Sequence, residues 1–229
     1  MNKLVKILFI GNFNKESDVK AFKLLNRKIY SITKFDTRYR KEKLPKRISQ
    51  WKGDYIFHLF SYIKLPKKLI NNAKIAAINF HPSLPKYPGS GGLTWTLMNN
   101  DLYFGVTVHF MNFKIDNGKI IKVFKSKVDN DDNIVSLIQK ADNIKLQAFK
   151  FVLEKINNNL YSDLIELSLK NKKIKWSKKI YKIAEIDKLQ NIKSTKIKKA
   201  YLNKIIKATM IRDYHPYINI HGYKFILKK

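Results

Sequence analysis

Short apolar runs alternate with amphipathic stretches along the first two thirds of the chain. Nearly continuous apolar runs are typical of strands buried on both faces of a parallel sheet, and apolar residues at helical spacing predict helices between them. The predicted strands are 3–10, 29–35, 54–60, 75–80, 104–111 and 119–128, and the predicted helices are 17–28, 67–71, 93–98 and 133–156. This alternation predicts an α/β fold with a mostly parallel sheet.

Residues with strong local backbone preferences mark where several elements begin and end. Ser17 is a candidate N-cap for the first helix, because its hydroxyl can accept a hydrogen bond from a free backbone N–H. Pro66 suits the opening of the short helix that follows it. Residues 116–118, Asp-Asn-Gly, are typical of a turn before a strand, and residues 84–92 hold two prolines and three glycines and are predicted to be a loop.

The pattern becomes poorer and more basic towards the C-terminus. Short strand-like pieces follow at 216–220 and 223–227. We therefore predict a main domain over residues 1–168 and a small basic C-terminal subdomain over residues 169–229. A chain of 229 residues can bury one good core with a small appendage, and two full domains would be tight.

Positive charge dominates the composition, with 47 Lys and Arg against 17 Asp and Glu and a formal net charge of +30. Residues 170–229 hold 18 basic and 3 acidic residues, which is +15, and the other 169 residues hold the remaining +15. A basic surface attracts phosphates, nucleic acids and polyanionic cofactors. A lysine-rich proteome, in which solvated positions drift to Lys, is the alternative cause, and the sequence leaves both open.

Cysteine is absent, which excludes disulfides, thiolate nucleophiles and thiolate metal ligands. This composition fits a reducing compartment, and we expect a cytoplasmic protein. The N-terminal apolar run is interrupted by Lys6 and lacks a small-residue cleavage site, so it does not fit a signal peptide. No stretch approaches about eighteen uncharged apolar residues, so we expect no membrane insertion.

Three polar residues at strand ends are candidates for joint chemistry. Asn79 and His81 lie at the C-terminal end of the strand at 75–80, at the edge where ligands bind in open α/β sheets. Asp116 follows the next strand along the chain. An amide, an imidazole and a carboxylate can polarise a carbonyl, move a proton and orient the proton carrier. Taken singly, each also has an ordinary interpretation, Asn79 as a strand-end hydrogen-bonding residue and the other two as turn residues.

Ordered motifs surround these residues. They are Asn-Phe-His-Pro-Ser-Leu-Pro-Lys-Tyr-Pro-Gly at 79–89, Gly-Val-Thr-Val-His-Phe-Met at 105–111 and Ile-Asp-Asn-Gly-Lys-Ile-Ile at 115–121. Together they resemble the 10-formyltetrahydrofolate-dependent formyltransferase family, over residues 1 to about 155. The loop after the histidine reaches its glycine one residue sooner than in the best-known members, which is more like the short sugar-nucleotide N-formyltransferases. A second, weaker resemblance to the tails of short members includes Trp176-Ser177.

The resemblance implies a Rossmann-like formyltransferase domain followed by the small subdomain, and it implies roles for individual residues. Asn79 would stabilise the oxyanion, His81 would be the general base for an amine, and Asp116 would hold the imidazole in its useful tautomer. The implied formyl donor is 10-formyltetrahydrofolate, with no metal. The implied folate contacts are Ser61, Tyr62, Ile63, Met111, Asn112, Phe113, Lys114 and Ile115, and the candidate acceptor contacts are Ser83, Tyr87 and Trp95.

Other cofactors and sites find no support in the motifs. Residues 11–14 depart from the Gly-x-Gly-x-x-Gly pattern of nicotinamide-dinucleotide sites. No pair of the five histidines has the four-residue helical spacing of a zinc motif. His109 lies mid-strand among apolar residues and is interpreted as a core or sheet-face histidine, and neither His215 nor His221 is a candidate catalytic residue.

Three hypotheses for the function stay open. The first is formylation of the amino group of a nucleotide-linked (dTDP) amino-deoxysugar for surface polysaccharide, with basic residues attracting the pyrophosphate. The second is formylation of methionyl-tRNA, although residues 169–229 are few for the C-terminal barrel of those enzymes. The third is a catalytically lapsed, basic nucleic-acid-binding member, against which the joint presence of the three candidate residues counts. A homodimer through the C-terminal subdomain is compatible with the resemblance. The sequence does not identify the sugar, the position of its amine or the oligomeric state.

Overall fold

The computed structural model describes residues 4–38, 42–59, 63–158, 160–193, 196–212 and 214–228. The strands in these ranges are β1 Val5–Gly11, β2 Tyr30–Asp36, β3 Gly53–His58, β4 Ala73–His81, β5 Tyr103–Phe110, β6 Ile120–Lys127, β7 Asn191–Ile192, β8 Tyr217–Ile220 and β9 Tyr223–Ile226. The helices are α1 Glu16–Lys23, α2 Lys46–Ser49, α3 Lys67–Asn71, α4 Gly92–Met98, α5 Ile134–Asn157, α6 Tyr161–Lys170, α7 Ile183–Gln190 and α8 Lys199–Thr209.

Six strands form the main sheet, in the order β2-β1-β3-β4-β5-β6. The first four are mutually parallel, and β5 runs antiparallel to both of its neighbours. β7, β8 and β9 form a small second sheet. The predicted α/β fold with a mostly parallel sheet is therefore confirmed.

Apolar side chains on both faces of the sheet explain why its strands read as continuous apolar runs. Along β1, Ile7 and Phe9 face a core that includes Phe149 and Val152 of α5, while Leu8 and Ile10 face a second core under α2 and α3. The ring of Phe149 contacts three other aromatic rings, those of Phe9, Phe57 and Phe80. Burial of one such side chain stabilises the fold by about 1.5–3 kcal/mol.

Two details of the first helix differ from the sequence prediction. Helix α1 begins at Glu16, and its N-cap is Lys15, so the prediction that Ser17 caps it is wrong. Ser17 is buried inside the first turn and its hydroxyl donates to Asp18 instead. The helix ends at Lys23, earlier than predicted, because Asn26 accepts a hydrogen bond from the Lys28 N–H through its side chain and starts a turn.

The C-terminal part holds more helix than the sequence pattern indicated. The sequence pattern does not predict helices α6, α7 and α8, which are short, with 10, 8 and 11 residues. Helix α8 packs against α4 of the main domain, and α6 packs against β6. The predicted boundary between residues 168 and 169 stays a prediction. No helix within the described ranges has the length and apolar character needed to cross a membrane.

Candidate active site

The predicted amide, imidazole and carboxylate lie together at the carboxyl end of β4. Asn79 and His81 share one face of the strand, because side chains two residues apart point the same way. Asp116 reaches both from the loop between β5 and β6. Its Oδ1 lies 3.2 Å from Nδ2 of Asn79, and its Oδ2 lies 3.2 Å from Nδ1 of His81. Their exposed fractions are 9% for Asn79, 5% for His81 and 9% for Asp116, so the cluster is almost fully removed from solvent.

Asp116 is held in an unusual backbone conformation. Its φ of 37° lies in the left-handed region, which costs free energy for any residue with a side chain. The Gly89 N–H donates to Oδ2 at 2.7 Å and fixes the carboxylate from the opposite loop. Burial alone would raise the pKa of Asp116, but the His81 and His109 rings and the Gly89 N–H outweigh it and hold that pKa well below its usual range. The carboxylate is therefore ionised.

Both ring nitrogens of His81 face hydrogen-bond acceptors. Nδ1 faces the Asp116 carboxylate, and Nε2 lies 3.0 Å from the backbone oxygen of Tyr87. A neutral ring carries one N–H and satisfies one of these acceptors, whereas the protonated ring satisfies both. Burial lowers the pKa of His81 and outweighs the opposing effect of Asp116, so the resting ring is neutral near pH 7.

Two further histidines belong to the cluster, and the sequence reasoning did not place them there. The sheet register pairs Asn79 with His58 of β3 on one side and with His109 of β5 on the other. Nδ1 of His58 lies 2.7 Å from Oδ1 of Asn79, and Nε2 of His109 lies 3.0 Å from Nδ2. His109 is a satisfied, buried histidine, as expected, but its partner is the predicted oxyanion donor.

A segment of the C-terminal part covers this cluster. The Trp176 ring lies edge-on to the rings of His81 and His109, with centroids 5.6 and 4.9 Å away, and its Nε1 donates to the Gly118 carbonyl. Tyr181 forms an isolated parallel bridge with Gly89. The covering segment and the loop after β4 together exclude water from the imidazole.

The candidate acceptor residues have different environments. Tyr87 is fully buried, and its hydroxyl donates to Asp101 and accepts from Asn99, so this geometry does not favour a contact between its side chain and the acceptor. Ser83 is 1% exposed and packs against Gly92. Trp95 is half-buried beside Tyr181 and lines a cleft of about 460 Å³ with residues of α7 and α8. These three residues stay predictions.

The candidate folate residues come together where they fall within the described ranges. Ile63 and Met111 pack against the same core beneath the carboxyl edge of the sheet. Phe113 and Ile115 are 52% and 43% exposed, which leaves apolar surface beside Asp116. Asn112 accepts from the Lys114 N–H and shapes this loop. Ser61 and Tyr62 lie outside the described residues, and no group of metal-ligating side chains occurs in the part of the chain that is described.

Replacing Gly118 with Ala is expected to disrupt this site. A Cβ at position 118 would lie 1.6 Å from the carbonyl oxygen of Phe110, so the loop that carries Asp116 has to move. We expect a lower melting temperature and loss of the catalytic activity proposed below, measured by circular dichroism and by turnover. Asn117→Ala, at an exposed neighbouring position, is the matched control. Wild-type behaviour of Gly118→Ala would contradict the role assigned to this close contact.

The fold and the site define a Rossmann-like α/β protein with an amide, an imidazole and a carboxylate at the carboxyl edge of its sheet. A family model described as formyl transferase matches residues 14–153, which is more than half of the chain. The chain therefore belongs to the formyl transferase family.

The similar proteins include formyltransferases that are named for two different acceptors, methionyl-tRNA and a sugar. A methionyl-tRNA formyltransferase of Mycoplasmopsis pulmonis is 32% identical over 129 residues, which are 55% of this chain and 44% of that protein. The matched stretch thus spans less than half the length of this curated relative. A sugar N-formyltransferase from a Shewanella species has a TM-score of 0.75 at 17% identity, covering 99% of this chain and 98% of that one.

A third similar protein was solved with two ligands bound. It is an N-formyltransferase from Helicobacter canadensis in complex with folinic acid and dTDP-3-aminofucose, with a TM-score of 0.69 at 16% identity, covering 96% of this chain and 85% of that one. At such identities, the two solved structures show a shared fold.

Proposed function

We propose that this protein transfers a formyl group from 10-formyltetrahydrofolate to the amino group of a nucleotide-linked amino-deoxysugar, most simply a dTDP sugar. The observation that carries the proposal is the convergence of Asn79, His81 and Asp116 at the carboxyl edge of a formyl transferase fold. The site has an oxyanion donor, a neutral base and an ionised carboxylate to orient it, which is the set that amine formylation requires.

The surroundings of Asp116 fit a folate. Exposed Phe113 and Ile115 offer apolar surface for a pterin and benzoyl group, and Lys67 lies over the Phe113 ring at 5.5 Å from its centroid. The nearby basic side chains of Lys67 and Lys114 suit the carboxylates of a folate tail. The folate, when bound, supplies the electrophilic formyl carbon.

Three side chains of the protein carry out the other parts of the transfer. The Asn79 NH₂ group faces Asp116 and His109 at rest and exchanges one of these contacts for the developing oxyanion. One preorganised donor of this kind contributes about 3–4 kcal/mol to lowering the barrier. His81 takes the proton that the amine loses. Asp116 holds the Nδ1–H of that ring and leaves the Nε2 lone pair to receive the proton.

The polar frame of His81 matches the state that proton transfer produces. Once Nε2 is protonated, the ring donates to the Tyr87 carbonyl at one side and to Asp116 at the other. The neutral ring, which has one N–H, satisfies only one of these acceptors. These two acceptors offset part of the cost of charging the buried ring as the reaction proceeds, while burial still favours the neutral ring at rest.

Structural agreement over the C-terminal part favours the sugar acceptor over tRNA. The agreement with the Shewanella sugar N-formyltransferase covers 99% of this chain and so includes the small C-terminal part, whereas the methionyl-tRNA formyltransferase match covers 55% of this chain. The charge of residues 170–229 supports the tRNA hypothesis instead, because a net charge of +15 also suits binding to a tRNA backbone. Methionyl-tRNA formylation is therefore the second candidate, and a lapsed nucleic-acid binder is the third.

A comparison of acceptors tests the proposal. The full chain is incubated with 10-formyltetrahydrofolate and either dTDP-linked amino-deoxysugars or charged initiator tRNA, and release of tetrahydrofolate is followed. We expect turnover with a sugar nucleotide. Turnover with tRNA alone would overturn the choice of acceptor, and salt-sensitive tRNA binding without any turnover would support the lapsed binder.

The activity should persist to unusually low pH for a histidine base. His81 is active when neutral, and burial lowers its pKa below the ordinary 6.5, so the ring loses its proton-accepting form only as the pH falls through that lowered pKa. We expect the acid limb of kcat/KM below pH 6.5, measured in buffers of constant ionic strength. Circular dichroism across the same range shows whether the chain stays folded. An acid limb above pH 6.5 in a folded protein would contradict this assignment.

A further inference from the structure

Three polar side chains form a row across neighbouring strands at the carboxyl edge of the sheet. His58 of β3, Asn79 of β4 and His109 of β5 are register partners, so their side chains lie on the same face. On the face of the row, Ile56 and Ala77 lie two residues before His58 and Asn79 and belong to a buried apolar core. The alternate positions, among them Phe57, Ile78 and Val108, are fully buried in the core on the opposite face. The row is therefore a polar strip inside an otherwise apolar part of the fold.

The hydrogen positions in this row follow from its acceptors. The ionised Asp116 carboxylate only accepts hydrogen bonds, so the atom of Asn79 that faces it at 3.2 Å is the amide nitrogen. The amide oxygen then faces Nδ1 of His58 at 2.7 Å. Because that oxygen also only accepts, Nδ1 of His58 carries the hydrogen. His58 is thus the donor to Asn79.

The other side of His58 shows that packing stability does not explain its presence. Its Nε2 is buried and has no hydrogen-bond partner among the described residues. A buried polar atom without a partner is destabilising, and an apolar residue of similar size would avoid that cost. Burial lowers the pKa of His58, so the ring stays neutral and keeps a single N–H, the one on Asn79.

We propose that His58 is a positioning residue that fixes the orientation of the Asn79 amide, with its NH₂ group on the side of Asp116 and His109. The inference rests on the proposed formyl transfer. Without the Nδ1–H of His58, the Asn79 oxygen is left buried and unpaired, and the amide gains freedom to turn away from Asp116 and His109. The Asn79 amide is then no longer held in place to donate to the oxyanion. The surfaces that bind the folate and the amine do not change.

Two nearly isosteric variants separate positioning from packing. His58→Asn keeps an N–H donor near the position of Nδ1, and His58→Leu fills the same space without one. We expect His58→Leu to lower kcat roughly 10- to 100-fold with KM for both substrates unchanged, since part of one oxyanion donor is lost. We expect His58→Asn to retain kcat within a few-fold. Equal losses in the two variants, full activity of His58→Leu, or an effect on KM alone would overturn the proposal.

Nitrogen NMR of the ¹⁵N-histidine-labelled wild type tests the same arrangement without turnover. We expect the imidazole whose signals disappear in His58→Asn to be neutral with its hydrogen on Nδ1. An Nε2–H tautomer for that ring would overturn the proposal even in an active enzyme. Conversely, a wild type that formylates no acceptor would refute the proposed function, while the ring signals still decide whether His58 donates to Asn79.

Discussion

Replacing His81 with Asn lowers kcat for formyl transfer by roughly 10²- to 10⁴-fold, the range that a positioned general base contributes. The variant removes the proton acceptor at Nε2 and keeps a small polar side chain beside Asp116. Binding of the two substrates does not depend on the proton transfer, so we expect the change in kcat rather than in KM. Initial rates of tetrahydrofolate release at saturating substrates give the measurement.

His221→Asn is the matched control for this substitution. His221 is exposed in the C-terminal hairpin, and its φ of 49° suits Asn, which tolerates the left-handed region. The control should keep wild-type kcat and the wild-type melting temperature. If His81→Asn retained kcat within a few-fold while remaining folded, His81 would not be the base.

Replacing Lys145 with Ala lowers the free energy of unfolding by about 3 kcal/mol, because a buried ion pair loses one partner. The Lys145 ammonium is 1% exposed and lies 2.6 Å from Asp18, which is 0% exposed, and 3.0 Å from Asp142. The estimate is at the lower end of the usual range since Lys15 remains near the two carboxylates. For a chain of this size, the melting temperature should fall by roughly 6–12 °C.

Two further variants test whether the loss of stability comes from breaking the buried ion pair of Lys145 and Asp18. Lys145→Met combined with Asp18→Asn removes both charges and keeps an acceptor for the Asn12 N–H, so this double variant should be more stable than the sum of its single changes predicts. Lys20→Ala breaks an exposed pair with Glu16 and should leave the melting temperature unchanged. An unchanged melting temperature for Lys145→Ala would show that the buried pair contributes nothing to stability.

The sequence was sufficient for the α/β class with its mostly parallel sheet and for the convergence of the candidate triad, but not for the three C-terminal helices. Apolar runs closed by polar residues place Asn79 and His81 at a strand end, and the motif at 115–121 places Asp116 after the next strand. These assignments depend on local patterns only. The family and the mostly parallel sheet are confirmed, whereas the catalytic roles stay a proposal.

The remaining parts of the site depend on contacts that no local pattern contains. His58 and His109 lie beside Asn79 because of the register of three strands, and β3 and β4 are separated by α3. Lys145 had a usable signal, since it lies four residues after Ala141 in the buried stripe of α5, where a charged residue indicates a buried ion pair. Ser17 has the composition of an N-cap, but the chain begins its helix one residue earlier.

Identification of the product tests the central claim most directly. The full chain is mixed with 10-formyltetrahydrofolate and a dTDP-linked amino-deoxysugar, and the sugar nucleotide is analysed by mass spectrometry and NMR. We predict an N-formylated sugar nucleotide, formed together with an equal amount of tetrahydrofolate and absent with His81→Asn. An unmodified sugar nucleotide for every amine offered, in a reaction where the wild-type chain is folded, would contradict the account.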